Sequence, residues 1–197
     1  MLPKLQTESI TSLSTSNKNS VSQTRRLRSR QIREMCIFAV LGTLMFCSKI
    51  LMEILPNIHL LGMFTMVYTV AYRRKALIPI YIYVFLNGIY AGFSTWWVPY
   101  LYIWTILWAI TMLIPPSIPK KVACFVYPLV CGLHGVAFGV LYAPAQAWMF
   151  GLNFEQTVAW IVSGLPFDLI HGVGNLVMGV LILPLSELLK KQSKRMP

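Results

Sequence analysis

The sequence predicts an all-α, polytopic membrane protein with about six transmembrane helices in one bundle. Hydrophobic residues make up 56% of the 197 residues and charged residues only 12%. The mean hydropathy is +0.63. The apolar residues form long runs, and Lys and Arg stand in short clusters between these runs. This combination is typical of a membrane-spanning bundle and not of a soluble domain.

The polar N-terminal segment does not fit the membrane pattern. Residues 1–33 are rich in Ser, Thr, Asn and Gln and end in the basic stretch RRLRSRQIR. A segment with so few large apolar residues cannot bury enough surface to offset the entropy lost on ordering. We therefore predict a disordered basic cytoplasmic tail over 1–33, a transmembrane domain over 34–190 and a basic cytoplasmic tail over 191–197.

Six apolar runs predict the six spans. They cover about 35–55, 58–72, 76–93, 100–114, 122–142 and 164–185. A full crossing takes about 20 residues, so the second span is short. Pro128 predicts a kink in the fifth span.

The segment Ala143–Ser163 is apolar enough to suggest a seventh span, but the distribution of charge argues against one. With six spans the basic clusters all face the cytoplasm, and the outer loops carry no Lys or Arg. These clusters lie at 25–33, 73–75, 120–121 and 190–195. We therefore predict that Ala143–Ser163 is an outer loop with an amphipathic or re-entrant helix, and that both termini of this cell-membrane protein are cytoplasmic. The excess of 17 Lys and Arg over 6 Asp and Glu then indicates contact with membrane lipid rather than nucleic acid.

One stretch of the last span carries unusual polar residues. In GLPFDLIHGVGN (164–175), Asp168, His171 and Asn175 follow each other at i, i+3 and i+7. On a helix this spacing places the three side chains on one face. Polar and ionisable groups are costly in lipid, so these three need partners.

The predicted topology places further polar and aromatic residues in the outer half of the membrane. The candidate binding residues are Lys49 and Glu53 of span 1, Asn87 of span 3, Trp97, Tyr100 and Trp104 at and before span 4, His134 and Tyr142 of span 5, and Asp168, His171 and Asn175 of span 6. Polar groups that serve only local structure have no reason to share one depth. This convergence favours a pocket for a solute that opens to the outside.

Three other roles for Asp168 and His171 stay open. In a structural role they would pair with each other or with a neighbouring helix. Bound to a metal they would need a third ligand, which His134 or Glu53 would supply. As catalytic residues they would need a nucleophile, and no GxSxG or HExxH motif is present. We expect no enzyme activity, no bound metal and no cofactor, with a metal-dependent membrane enzyme or a membrane scaffold as the alternatives.

The first span carries a stripe of small residues. Ala39, Thr43 and Cys47 recur every fourth position, a spacing that lets a second helix approach closely. The stripe predicts a docking face for a partner helix, or else packing within the bundle. There is no GxxxxGK[ST] phosphate loop, so uphill transport would take its energy from a partner or an ion.

Taken together, these features resemble the substrate-binding S-component of an energy-coupling factor (ECF) transporter. The resemblance rests on the basic tail, the six spans, the small-residue first span, the first outer loop LPNIHL (55–60) and the outer-half pocket, and it covers about 34–190. It implies that the chain captures a vitamin or related micronutrient and delivers it inward. It also implies partners, namely a transmembrane coupling protein and two ATPase subunits.

The resemblance assigns further residues by position. The family's Ala-x-x-x-Ala coupling motif corresponds to Ala39 and Thr43, with Thr in place of the second Ala. The gating loops of the family correspond to Pro56–His59 and Ser94–Pro99. Their candidate gating residues are Pro56, Asn57, His59 and Trp96. An aromatic-rich pocket with polar groups suits cobalamin or a precursor, a deazapurine, or a thiamin-type pyrimidine.

Overall fold

The computed structural model describes residues 3–54 and 59–195, and the regular elements in these ranges are all helical. The α-helices are α1 (Pro3–Leu51), α2 (Leu61–Tyr72), α3 (Leu77–Ala91), α4 (Tyr100–Leu113), α5 (Lys120–Val136), α6 (Phe138–Phe150), α7 (Phe154–Gly179) and α8 (Ile182–Arg195). Short 3-10 turns lie at Met52–Ile54, Arg73–Ala76 and Thr95–Trp97. The predicted all-α class is confirmed.

Four helical segments are long and apolar enough to cross a membrane. They are Gln23–Ile54, Thr95–Leu113, Lys120–Phe150 and Phe154–Gly179. Helices α2 and α3 have 12 and 15 residues, fewer than the ~20 of a full crossing. The chain is therefore a helical membrane bundle, and six full crossings stay a prediction.

The N-terminal segment is helical where the sequence predicts disorder. Helix α1 begins at Pro3, and no Gly or Pro interrupts residues 4–41, so nothing in this stretch breaks a helix once it forms. The chain divides into two compact units, one formed by the N-terminal residues up to Phe38 and the other beginning at Ala39. The cytoplasmic position of the tail stays a prediction.

Helix α2 lies at the centre of the second unit. Nine of its twelve residues are buried, as expected for a helix that is apolar all round. It ends at Arg73, whose backbone is left-handed (φ 53°). The Arg73 guanidinium donates hydrogen bonds to the carbonyl oxygens of Met112 (2.7 Å) and Ile114 (3.3 Å). Arg73 thus caps carbonyls at the end of α4 that have no partner within that helix.

A seam of glycines joins α5 and α6 to α7. A Cβ at Gly135 would lie 2.8 Å from the Cα of Gly172, and one at Gly179 would lie 2.6 Å from the Cα of Pro128. Gly135 lies opposite Gly172, and the earlier residue Pro128 lies opposite the later residue Gly179. The two segments therefore run antiparallel. Backbones this close leave no room for side chains, which is the packing that small residues permit between membrane helices.

The structure corrects the prediction of an outer loop over Ala143–Ser163. This segment completes α6, turns through residues 151–153 and begins α7. Gly151 ends α6 with a left-handed backbone (φ 65°). Asn153 then starts α7 through a capping box with Gln156, made of two 2.9 Å hydrogen bonds. These local signals fix a tight helical hairpin.

The sixth predicted span, 164–185, is also corrected. Helix α7 begins earlier, at Phe154, and ends at Gly179, and the separate helix α8 starts at Ile182. Pro184 explains the break, because its ring would clash with a carbonyl in a continuous helix and is tolerated in a first turn. In α8, Glu187 accepts a hydrogen bond from Lys120 at the start of α5 (2.9 Å). Two of the basic clusters therefore lie at one end of this unit.

Candidate functional site

The polar face of α7 is buried as the helical spacing predicts. Asp168, His171 and Asn175 are 7%, 4% and 1% exposed, whereas their neighbours Phe167 and Val173 are 59% and 61% exposed. The three polar side chains therefore point into the bundle, and the apolar residues between them face outward.

Asp168 has a partner in the neighbouring hairpin. Its Oδ2 accepts a 3.1 Å hydrogen bond from the backbone N–H of Gly139. Gly139 lies in the first turn of α6, where backbone N–H groups have no acceptor within the helix. A carboxylate is favoured at the positive end of a helix. Asp168 therefore caps α6 and holds it against α7, which gives this residue a structural role.

Trp104 forms the centre of an aromatic cluster. Its side chain is 1% exposed, and its ring lies 6.2 Å from Tyr83, 6.0 Å from Tyr100, 5.9 Å from His134 and 6.1 Å from Phe138, measured between ring centroids. These residues come from α3, α4, α5 and α6. Trp104 thus connects four helices through ring contacts.

Two of the three histidines of the chain pack against Phe138, and the third packs against one of these two. The ring of His171 is 4.9 Å from Phe138 and 4.8 Å from His59, and the ring of His134 is 6.5 Å from Phe138. The ring contacts are therefore continuous from Trp104 to His171 and on to His59, the one candidate gating residue of its loop that the structure describes. Pro56 and Asn57 lie outside the described residues.

A second aromatic layer borders this cluster. Tyr142 stacks on Trp160 with ring centroids 5.8 Å apart, and its hydroxyl donates a hydrogen bond to the carbonyl oxygen of Trp96 (3.1 Å). Trp96 packs edge-on against Tyr100 at 5.7 Å. Tyr100, Tyr142 and Trp96 thus share one layer that joins the 3-10 turn before α4 to α6 and α7.

The interior of the bundle contains polar atoms that the protein leaves without partners. Eight buried side-chain atoms in the described residues have no hydrogen-bond partner. They belong to Thr65 of α2, Tyr83 and Asn87 of α3, Trp104 of α4, His134 of α5, and His171 and Asn175 of α7. Buried polar groups nearly always have a partner, and each group without one costs about 1–3 kcal/mol. So many unpartnered groups on five helices are therefore unusual.

Two predicted binding residues have partners outside this set. Lys49 and Glu53 form an ion pair with each other, and the Lys49 ammonium lies 5.8 Å from the ring centroid of Tyr90. This pairing is the one that their i, i+4 spacing favours.

Trp97 does not join Tyr100 and Trp104 on one face. It lies in the 3-10 turn before α4, so helical spacing does not apply to it. Its indole N–H donates to the carbonyl oxygen of Val84 (2.9 Å), and its ring packs on Phe85 and Phe93, which are 57% and 56% exposed. Trp97 therefore belongs to the outer surface of α3.

The small-residue stripe of α1 faces away from its own bundle. Ala39, Thr43 and Cys47 are all exposed, and the Thr43 hydroxyl donates a 2.9 Å hydrogen bond to the carbonyl oxygen of Ala39. Packing within the bundle uses Gly42 instead, which lies against Pro79 and Ile82 of α3. The stripe is therefore available to another helix.

No family model, curated protein or solved structure matches the chain.

The metal-enzyme alternative finds no support in the arrangement of ligands. Among residues 3–54 and 59–195, no group of three His, Cys, Asp or Glu side chains is placed to hold one ion. Asp168 bonds a backbone N–H, and His134 shares a hydrogen bond with Ile103.

Three buried or ring-contacting residues were not among the candidate binding residues from sequence analysis, namely Thr65, Tyr83 and Phe138. Thr65 is 0% exposed and Tyr83 is 0% exposed, and Phe138 contacts both His134 and His171. Tyr83 lies one helical turn before Asn87, so helical spacing from that residue could have identified it. Thr65 and Phe138 carry no comparable signal, because a Thr and a Phe are ordinary residues of membrane helices.

Proposed function

We propose that this protein is a membrane subunit that captures a small polar solute inside its helical bundle, in the manner of the S-component of an ECF importer. One observation carries the proposal, namely that four side chains in one set of ring contacts with Phe138 each hold a buried atom without a partner, these being Tyr83, Trp104, His134 and His171. A protein that needed these groups only for packing would have paired them. A bound solute with donors and acceptors would supply the missing partners.

The exposed stripe of α1 supports the second half of the proposal. A subunit without a nucleotide-binding motif takes the energy for uptake from a partner or an ion, and Ala39 and Thr43 offer a face on which a helix of a partner can pack closely. The partners would be a transmembrane coupling protein and two ATPase subunits, and the cargo a vitamin or related micronutrient. The proposed location is the cell membrane, with both termini in the cytoplasm.

Mass spectrometry of compounds released from the purified protein tests solute capture. We expect one small molecule in near-equimolar amount from the wild-type protein and much less from Asn175→Leu, which removes two unpartnered atoms. Gly164→Ala is the matched control on the same helix, because nothing lies within 4 Å of the added Cβ. A wild-type protein that releases no compound, or an Asn175→Leu variant that releases just as much, would contradict solute capture.

Uptake by cells tests the docking face. The double substitution Ala39→Leu and Thr43→Leu should abolish uptake of the released compound and leave its binding to the purified protein unchanged, because both residues are exposed and larger side chains keep a partner helix away. Val40→Leu is the control, since Val40 is 67% exposed and already branched. Wild-type uptake by the double variant would place the coupling face elsewhere.

A further inference from the structure

We infer that the solute is a small, electrically neutral, planar nitrogen heterocycle that carries both hydrogen-bond donors and acceptors. The inference rests on the proposed function and adds the chemical class of the ligand. It follows from the identity of the unpartnered atoms, from the charges around them and from the rings that enclose them.

The first step concerns the tautomer of His134. Its Nε2 lies 3.3 Å from the carbonyl oxygen of Ile103. A carbonyl oxygen only accepts, so Nε2 carries the proton, and in the neutral ring Nδ1 is an acceptor. This Nδ1 has no protein partner. A ligand that satisfies it must present an N–H or O–H donor.

The second step assigns donor and acceptor roles to the other unpartnered groups. The indole N–H of Trp104 only donates, so the ligand needs an acceptor, and the Oδ1 of Asn87 only accepts, so the ligand needs a donor there. Both ends of the Asn175 amide are unpartnered, which suits a group with a donor beside an acceptor. A ligand that reaches these groups must therefore present both donors and acceptors.

The third step concerns charge. None of the unpartnered groups belongs to Lys, Arg, Asp or Glu. Of the ionisable residues that sequence analysis assigned to the site, Asp168 is held by the Gly139 N–H, and Lys49 is held by Glu53. A charged ligand among side chains that are at most 4% exposed would find no Lys, Arg, Asp or Glu counter-charge among the unpartnered groups, and burying an unpaired charge is strongly unfavourable. A neutral ligand avoids this cost.

The fourth step concerns shape. Trp104, Phe138 and the rings of His134 and His171 form a continuous set of contacts at centroid distances of 4.9–6.5 Å. Aromatic faces favour flat partners through stacking and edge contacts. Trp104 and His171 are 1% and 4% exposed, and the rings around them contact each other directly, which favours a single ring system over a molecule as large as a corrinoid. Among the candidates from sequence analysis, purine-like and pyrimidine-like rings without a fixed charge remain.

The charge of the bound compound tests the inference directly. Purified protein is stripped of small molecules, and its thermal unfolding is followed with three matched probes, nicotinamide, nicotinate and 1-methylnicotinamide, together with adenine, hypoxanthine and thymine. We expect the melting temperature to rise only with neutral members of this set. The compound released from the wild-type protein should likewise be a neutral nitrogen heterocycle.

The outcomes separate this inference from the proposed function. A released carboxylate, phosphate or quaternary cation, or a higher melting temperature with nicotinate or 1-methylnicotinamide, would overturn the inference and leave solute capture standing. No released compound and no stabilising probe would count against both.

A pair of tryptophan substitutions checks the donor role. Trp104→Phe keeps an aromatic ring but removes the N–H, and we expect roughly a three- to tenfold loss of affinity for the released compound, the value of one hydrogen bond. Trp108→Phe is the control, because its indole N–H donates to the Arg73 carbonyl oxygen (3.1 Å) and not to the cluster. Equal affinities for Trp104→Phe and the wild type would remove Trp104 from the proposed set of donors.

Discussion

Asn175→Leu should stabilise the ligand-free protein and abolish ligand binding, whereas Asp168→Leu should destabilise the protein. The two residues lie on the same buried face of α7, at 1% and 7% exposure, and leucine approximates the shape of both side chains. They differ in hydrogen bonding. Asn175 leaves both its amide atoms unpartnered, and Asp168 accepts a hydrogen bond from Gly139.

The opposite signs follow from the cost of unpartnered groups. Removing an unsatisfied buried amide relieves a penalty of about 1–3 kcal/mol, while removing Asp168 leaves the Gly139 N–H unsatisfied and imposes a similar penalty. Thermal unfolding of both variants and the wild type, all stripped of small molecules, measures the difference. Stripping is essential because a bound ligand stabilises the wild type alone.

This comparison also decides between solute capture and a structural role. If the polar residues only hold helices together, Asn175→Leu should destabilise the protein as much as Asp168→Leu does. In a ligand site the polar groups instead stay unsatisfied until the ligand binds, which lowers the stability of the ligand-free protein. A lower melting temperature for ligand-free Asn175→Leu would therefore support the membrane-scaffold alternative.

The sequence predicts the polar face of α7 well because helical periodicity is a local property. The i, i+3, i+7 spacing of Asp168, His171 and Asn175 needs only a helix, and the structure buries all three. Asn87, Trp104 and His134 were assigned to a pocket from the shared depth that the predicted topology gives them, and the structure buries these three as well. Of these six residues, every one except Asp168 carries a buried side-chain atom without a hydrogen-bond partner.

Other features depend on information that charge and hydropathy do not contain. The positive-inside tendency reports on which side a loop lies, but not where a helix ends, so Ala143–Ser163 was predicted as a loop with one amphipathic or re-entrant helix and not as the junction of α6 and α7. Trp97 was named with Tyr100 and Trp104 as a candidate binding residue, yet it precedes α4 in a 3-10 turn and packs on the exposed rings of Phe85 and Phe93. The separate roles of Asp168 and Asn175 depend on whether a backbone N–H of another helix is in reach, and only the three-dimensional packing determines that.

Gly172→Ala should strongly destabilise the protein, although alanine is the better helix former. A Cβ at Gly172 would contact Val136 directly and would lie 3.2 Å from the carbonyl oxygen of Gly132. The neighbouring helix backbone cannot yield without separating α5 from α7. Overpacking of a tight interior typically costs about 1–3 kcal/mol, more than the ~1 kcal/mol that alanine gains over glycine in a helix.

Gly164→Ala on the same helix is the matched control. No atom lies within 4 Å of its added Cβ, so this variant should keep or slightly raise the melting temperature through helix propensity alone. Thermal unfolding of the two variants isolates the effect of the seam, since the chemical change is identical. Equal stabilities would mean that α5 and α7 are not packed backbone to backbone. Because His134 reaches the cluster from α5 and His171 from α7, a loosened seam should also weaken ligand binding, and Gly172→Ala should retain less of the released compound than Gly164→Ala does.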